Sequence, residues 1–368
     1  MDGFSAFLAA QGIAVVLGAI VGIAPGLLHG KAVVSKLNTG VLTVQSGGGV
    51  QLVGDLVFIA GGLGLAIVNV SDPEKPEVVA TVNTGVLTTE GAGSVLVLGQ
   101  YAFVSGGLGL CAIDVSNPSK PKKVSTLNTG VLCHYSGGHV LVDTSKGKGT
   151  LLYVTGGLGV VAVDASDPTK MVKLAKVDTG VLTTDGAGHS VISEDGKYLF
   201  VAGGLGLAVV DVSDPQAPKK ITSVSTGVGT SDAGNHISMN GTVAYIAGGL
   251  GLAVFDMSNP EKPVKTGFVN TGVLTHEAGG HSYVIGAHLL VAGGLGLCIL
   301  DISDPATPKV LRKVNTGVAT DRGGMGVAFG KDRYAFCAGG LGFAVIELFS
   351  DPGASIEDAD TEKEHLLR

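Results

Sequence analysis

The residues best suited to chemistry in this sequence are histidines, and their spacing is regular. His139, His189, His236 and His281 each stand eleven residues after the start of an NTG-type triplet, at Asn128, Asp178, Ser225 and Asn270. Three further triplets, at Asn38, Asn83 and Asn315, carry Gly49, Ser94 and Gly326 at the same place. His134 and His276 lie near by, with Asp185, Asp232 and Glu277. Imidazole suits zinc, copper and nickel, so these four histidines, if gathered, would hold a divalent transition metal, with carboxylates as further donors. The competing reading is structural: the rings hydrogen-bond loop carbonyls and fill a channel mouth. Spacing alone does not decide, because ligands from separate repeats converge only where the fold gathers them.

No serine or cysteine recurs beside a histidine and a third, orienting group, so no catalytic residue is expected. GGLG occurs seven times, starting at Gly61, Gly106, Gly156, Gly203, Gly248, Gly293 and Gly339. A dinucleotide cradle needs a strand, a glycine turn and then a helix. Here a strand-like run follows, so the glycines are read as turn geometry, and no organic cofactor is expected. The Ser-Asp/Asn-Pro triplets, such as those at Ser71 and Ser213, are likewise read as turns, with too few acceptors for a calcium loop. The four cysteines are read as small apolar fillers; Cys111 and Cys298 take a slot that holds Ala66 and Ala208 in other copies.

The elements that must position these residues are visible in the repeat itself, whose steps run from 45 to 50 residues. One unit reads GSVLVLGQYAFVSGGLGLCAIDVSNPSKPKKVSTLNTG. Its runs VLVL, YAFV, CAIDV and KVSTL are short, rich in β-branched and aromatic residues, and bounded by Gly or Pro. Four short strands in a period of this length are the signature of a propeller blade. Helical repeats would need helices of about 12 residues, which these glycines would break. The last copy supplies three strands and then runs into an acidic tail, whereas KAVVSKLNTG at 31–40 is an orphan fourth strand. Pairing it beside the last copy closes the ring and removes the open edges. The expected fold is therefore all-β: a seven-bladed β-propeller over residues 31–352 with an N-terminal velcro strand, preceded by one transmembrane α-helix within 1–30 and followed by an acidic tail, 353–368.

In such blades the turn between strands two and three and the blade-to-blade loop share one face, here named the top. GGLG and the histidines belong to that face, and the Ser-Asp-Pro turns to the bottom. The Val-Leu pairs of the blade-to-blade loops (Val41/Leu42, Val86/Leu87, Val131/Leu132, Val181/Leu182, Val273/Leu274) are read as wedges between blades rather than an exposed apolar ring. Lysines such as Lys75, Lys123, Lys170 and Lys220 fall on the bottom turns and outer strands, and Glu90, Asp185, Asp232 and Glu277 on the top loops.

Strings such as LAVVDVSDPQAPKKI and LAIVNVSDPEKPEVV resemble the LVIVD-repeat family of β-propellers, over roughly residues 31–352. The resemblance implies a surface or membrane-associated propeller and brings no biochemical activity with it. The GGLG and TGVLTT strings are unusually uniform for that pattern.

Composition limits the partners. With 60 glycines, 45% hydrophobic and 15% charged residues, the chain is neither disordered nor, lacking a Gly-X-Y register, collagen-like. A net charge of −7 argues against nucleic acid, and the absence of Trp argues against a sugar-stacking adhesion surface. The segment from Phe4 to Leu28 contains no charged residue and meets the roughly 20 apolar residues of a membrane span. Only Asp2 precedes it as a charge, unlike the positive start of a cleaved signal peptide. Membrane lipid is thus an expected partner, through a single N-terminal helix. Lys31 and Lys36 favour a cytoplasmic propeller, while the family resemblance leans towards the extracytoplasmic or luminal side, which is the side expected here. The function expected is a non-enzymatic, membrane-anchored scaffold, an accessory subunit making protein–protein contacts in a membrane complex. The alternatives are a metal-binding propeller using the four histidines and a cell-surface adhesion or ligand-binding module.

Overall fold

Runs of five or six apolar and β-branched residues, cut by Gly and Pro, fold into seven antiparallel sheets of four strands each. The structure, a computed structural model, describes residues 33–348 except 92, 136, 146–148, 187, 233 and 332. In blade one the strands are Gly49–Val53, Leu56–Gly61, Gly64–Asn69 and Glu77–Val82, in that order outward from the axis. Blades two to six repeat this order. Blade seven takes Met325–Gly330, Tyr334–Gly339 and Gly342–Glu347 from the end of the described chain and Ser35–Leu37 from its beginning.

That last pairing closes the ring as the orphan strand required. Ser35 stands opposite Val345 and Leu37 opposite Phe343, antiparallel, and the Val34 amide adds a 2.9 Å bond to the Val345 carbonyl. The Ser35 hydroxyl donates to the Pro73 carbonyl at 2.7 Å, in a bottom turn of blade one, so the seam is tied to both neighbours. Since Gly342–Glu347 descends from a GGLG turn, its antiparallel partner ascends, and the chain enters the propeller from the bottom. The segment expected to cross a membrane, residues 1–30, and the acidic tail, 353–368, lie outside the described residues. Among the described residues, no helix is long and apolar enough to cross a membrane.

Both faces of each blade are buried, so the middle strands read as continuous apolar runs whose alternate residues serve opposite neighbours. Phe58, Ala60, Leu65 and Ile67 pack against Val104 and Ile113 of blade two. Val57, Ile59, Ala66 and Val68 turn the other way, onto Phe336, Phe343 and Val345 of blade seven. Seven such inter-blade cores run round the ring. Cys111, Cys298 and Cys337 are buried within them, where burial pushes the thiols of the first two up to about 11 and about 12. In blades one to six the outermost strand carries a register shift, as between Ile67 and Val68, which adds the twist that turns it away from the axis.

The Val-Leu pairs are wedges. Val41, Val86, Val131, Val181 and Val273 are at most 3% exposed. Each leucine lies over a glycine six residues on: a Cβ at Gly138 would stand 2.0 Å from Leu132 Cδ2, and one at Gly93 2.1 Å from Leu87 Cδ2. Two blades invert the pairing. Blade five has Gly229 with Asn235, and blade seven Ala319 with Met325, a small residue opposite a large one. The lysines are less one-sided than their strand positions imply. The Lys265 ammonium donates to the Thr226 carbonyl at 2.7 Å and Lys176 to the Gly130 carbonyl at 3.2 Å, so these outer-strand side chains reach the NTG-type turn that follows the preceding blade.

Candidate functional site

The blade-to-blade loops converge on the axis at the top and enclose a funnel of about 280 Å³. Seven residues after each triplet start, one side chain per blade reaches its rim: Gln45, Glu90, Tyr135, Asp185, Asp232, Glu277 and Arg322. Four acids against one guanidinium make an acidic collar. Glu277 pairs with Arg322 at 3.4 Å, while His134 and His276 lie 3.8 Å from Glu90 and 4.0 Å from Asp232. These outer histidines are more than half exposed and stay at the rim.

Four residues further along, the chain enters the innermost strand, and there the structure brings the four spaced histidines together. Their rings form a tilted stack round one side of the channel. Centroids are 3.6 Å apart from His139 to His189, 3.6 Å from His189 to His236 and 3.8 Å from His236 to His281. Neighbouring planes tilt by 35°, 36° and 43°. Together the tilts spread the stack into a fan, so that His189 and His281 stand at 79° to each other. One nitrogen from each of His189, His236 and His281 falls within 4.8 Å of the other two. His139 belongs to the stack but not to that convergent group. The carboxylates do not join it either: they occupy the rim, four positions before the floor residues in each loop.

Two blades lack room for such a ring. A Cβ at Gly326 would stand 2.0 Å from the Gly48 carbonyl, and one at Gly49 2.5 Å from the Gly93 carbonyl. On that side the inner strands meet backbone to backbone; Gly49 donates to the Gly93 carbonyl at 2.9 Å. The histidines therefore fill the wider half of the channel mouth.

Each ring leans on the next blade, at the residue following that blade's own channel position. His139 meets Ser190 there and His236 meets Ser282. The Ser190 and Ser282 amides donate to Nδ1 of these rings at 3.4 and 3.2 Å, with the serine hydroxyls 3.4 and 3.0 Å away. For His189 and His281 the corresponding residues are the apolar Ile237 and Val327. Nδ1 of His189, Nδ1 of His281 and Nε2 of His236 are buried without a hydrogen-bond partner. Burial drives all four rings below the ordinary 6.5, His139 to about 3 and His281 to about 4, with neighbouring rings adding to the effect on His139, His189 and His236. The stack is consequently neutral at physiological pH, the form in which imidazole donates a lone pair.

A feature that pattern reading passed over surrounds the funnel. The leucine of every GGLG turn, Leu63, Leu108, Leu158, Leu205, Leu250, Leu295 and Leu341, is between 47% and 61% exposed. The backbone of each is pinned, its amide donating at 2.9 Å to the carbonyl of the buried valine in the same blade's incoming loop, or of its equivalents Val228 and Val318. The signal was present as an invariant Leu between glycines, where the turn itself requires no apolar side chain.

Seven four-stranded blades closed by a shared seam, with a polar funnel on the axis, define a seven-bladed β-propeller. Residues 46–84, 91–129, 190–226, 233–271 and 283–316 match the LVIVD repeat, just over half of the chain, and this protein belongs to the LVIVD-repeat family. No curated protein matches the sequence. Among solved structures, a functionally unknown protein from Desulfotomaculum acetoxidans is 17% identical, with a TM-score of 0.57 over 77% of this chain and 88% of its own. Sqt1 of Saccharomyces cerevisiae is 12% identical, with a TM-score of 0.57 over 88% of this chain and 100% of its own. The periplasmic gluconolactonase PpgL of Pseudomonas aeruginosa is 13% identical, with a TM-score of 0.54 over 80% and 86%. Likeness at this level is one of fold.

Proposed function

We propose that the protein is a non-enzymatic scaffold, anchored to a bilayer by its N-terminal segment and docking a partner protein of a membrane complex on its top face. The observation that carries this reading is the ring of seven exposed leucines on pinned turns. Apolar side chains at seven equivalent turn tips lie outside the inter-blade cores, and an annulus of them gives the apolar contact that protein interfaces use. Anchoring rests on the uncharged segment from Phe4 to Leu28 and on the entry of the chain at the bottom, which turns the leucine face away from the lipid. A non-catalytic role is supported by the two serine–histidine contacts: Ser190 and Ser282 are at most 2% exposed, so neither hydroxyl is open to a substrate.

The test is gentle detergent extraction of the full chain from its native membrane, followed by native mass measurement. The expected result is an assembly heavier than the 36.7 kDa chain that is lost on replacing Leu108, Leu158 and Leu205 together by Ser, with the propeller still folded. A lone chain in the native extract, or an assembly indifferent to those replacements, would overturn the docking role.

A further inference from the structure

The geometry points to a divalent transition-metal site at the floor of the funnel, formed by His189, His236 and His281 and independent of the docking role. Three nitrogens from three different blades lie within 4.8 Å of one another, and each of the three rings also has a buried nitrogen without a partner. Leaving a buried polar atom unpaired costs about 1–3 kcal/mol, and one on each of three neighbouring rings is too many to be incidental to packing. Nor does the fold need histidine there: blade two carries Ser94 at the same position. His236 is 7% exposed, while His189 and His281 keep an edge towards the funnel, the route by which an ion arrives.

The chemistry of the donors selects the class of ion. Three neutral imidazoles with no oxygen ligand suit zinc, copper or nickel and exclude calcium and magnesium. Zinc–nitrogen bonds of about 2.0–2.1 Å need nitrogens roughly 3.4 Å apart, so the fan must draw in by about 1 Å, a side-chain adjustment. The fourth position faces the funnel and is left to water or a small ligand. Above it, Glu90, Asp185, Asp232 and Glu277 raise the local concentration of cations without binding them at the floor.

Ser282 acts as a positioning residue. With its amide donating to His236 Nδ1 at 3.2 Å, the ring proton sits on Nε2, the nitrogen that must ligate. Ligation requires that proton on Nδ1 instead, donated to the Ser282 hydroxyl at 3.0 Å, so the tautomer switch gives up the amide bond and relies on the hydroxyl as acceptor. Ser190 holds His139 in the same manner, outside the convergent group, and so serves as the internal control.

The experiment is a chelator-stripped full chain in detergent, titrated with Zn²⁺ against a chromophoric competitor and with Co²⁺ as a spectroscopic probe. One ion per chain is expected, with the intense visible bands of a four-coordinate Co²⁺ site. His281→Ser, which copies blade two, and His236→Ala should each weaken Zn²⁺ binding by at least about 100-fold. Ser282→Ala should weaken it about 10-fold, Ser282→Thr should restore it, and Ser190→Ala should leave it unchanged. Circular dichroism melts identify any variant that has merely unfolded. The proposal fails if the stripped chain takes up no Zn²⁺, or if binding survives His281→Ser. It also fails if binding is lost instead on replacing the rim residues His134 and His276 by Ala.

Discussion

At the scale of single residues, the histidine stack links this protein's stability to pH. His139 and His281 are depressed to about 3 and about 4 in the fold, whereas an unfolded chain protonates near 6.5. Between those values the unfolded state binds more protons than the native one, so stability rises with pH through the window and falls on acidification below about 6.5. For each of these two rings the loss between pH 6.5 and 5 is about 2 kcal/mol. Urea midpoints measured in chelator at pH 7 and pH 5 should show it, and His281→Ser should flatten the slope; equal slopes would mean that the stack titrates normally. What could be read here from the sequence was the register. Eleven residues from each triplet places all four rings at one level, since every triplet opens the same loop. Their convergence was not legible, because it depends on which inner strands approach backbone to backbone, as at Gly49 and Gly326, and so on which side of the channel is left open. The leucine ring was missed for a different reason: between glycines that explain the turn, Leu63 and its equivalents looked like part of the turn.

At the scale of the element, the blade is a unit whose interior is settled by volume. Strands, turns and their order were legible, because period-two apolar runs cut by Gly and Pro admit few other readings. The register shift in the outer strand was not, since Val68 and Val78 give no local sign of where pairing slips. The inverse pairing of wedge and strand start is a subtler case. Leu132 over Gly138 and Ala319 beside Met325 fill the same space with the bulk on opposite partners, a correlation visible only when blades are compared at six-residue spacing. It carries a stability expectation. Met325→Gly alone empties a site that is 3% exposed and should cost about 3 kcal/mol. Adding Ala319→Leu recreates the pairing of the other blades and should recover at least half of that loss in urea midpoint. A double variant no more stable than the single one would show that the two positions do not share a cavity.

At the scale of the whole molecule, everything depends on a seam made by three residues. Ser35–Leu37 is the shortest outer strand in the ring, yet it covers Phe343 and Val345, both fully buried, and its flanking Val34 packs into the same inter-blade core. Without it, the edge of Gly342–Glu347 is unpaired and blade seven loses its hold on blade one, where Ser35 reaches Pro73. Removing residues 1–37 should therefore cost about 2 kcal/mol from the partial burial of Val34 and Leu37, with the lost pairing in addition, and leave a ring prone to pair with a second copy. On the proposed anchoring, removing only 1–30 should release the protein from membranes and leave the urea midpoint unchanged, which separates the seam from the segment before it. A peptide spanning 31–40, added to the chain that lacks 1–37, should bind its vacant edge and restore the midpoint, since the missing strand contributes through pairing rather than through its covalent link. If that longer truncation melts like the intact protein, the ring is held by its six other inter-blade cores, and the seam sets only where the chain enters.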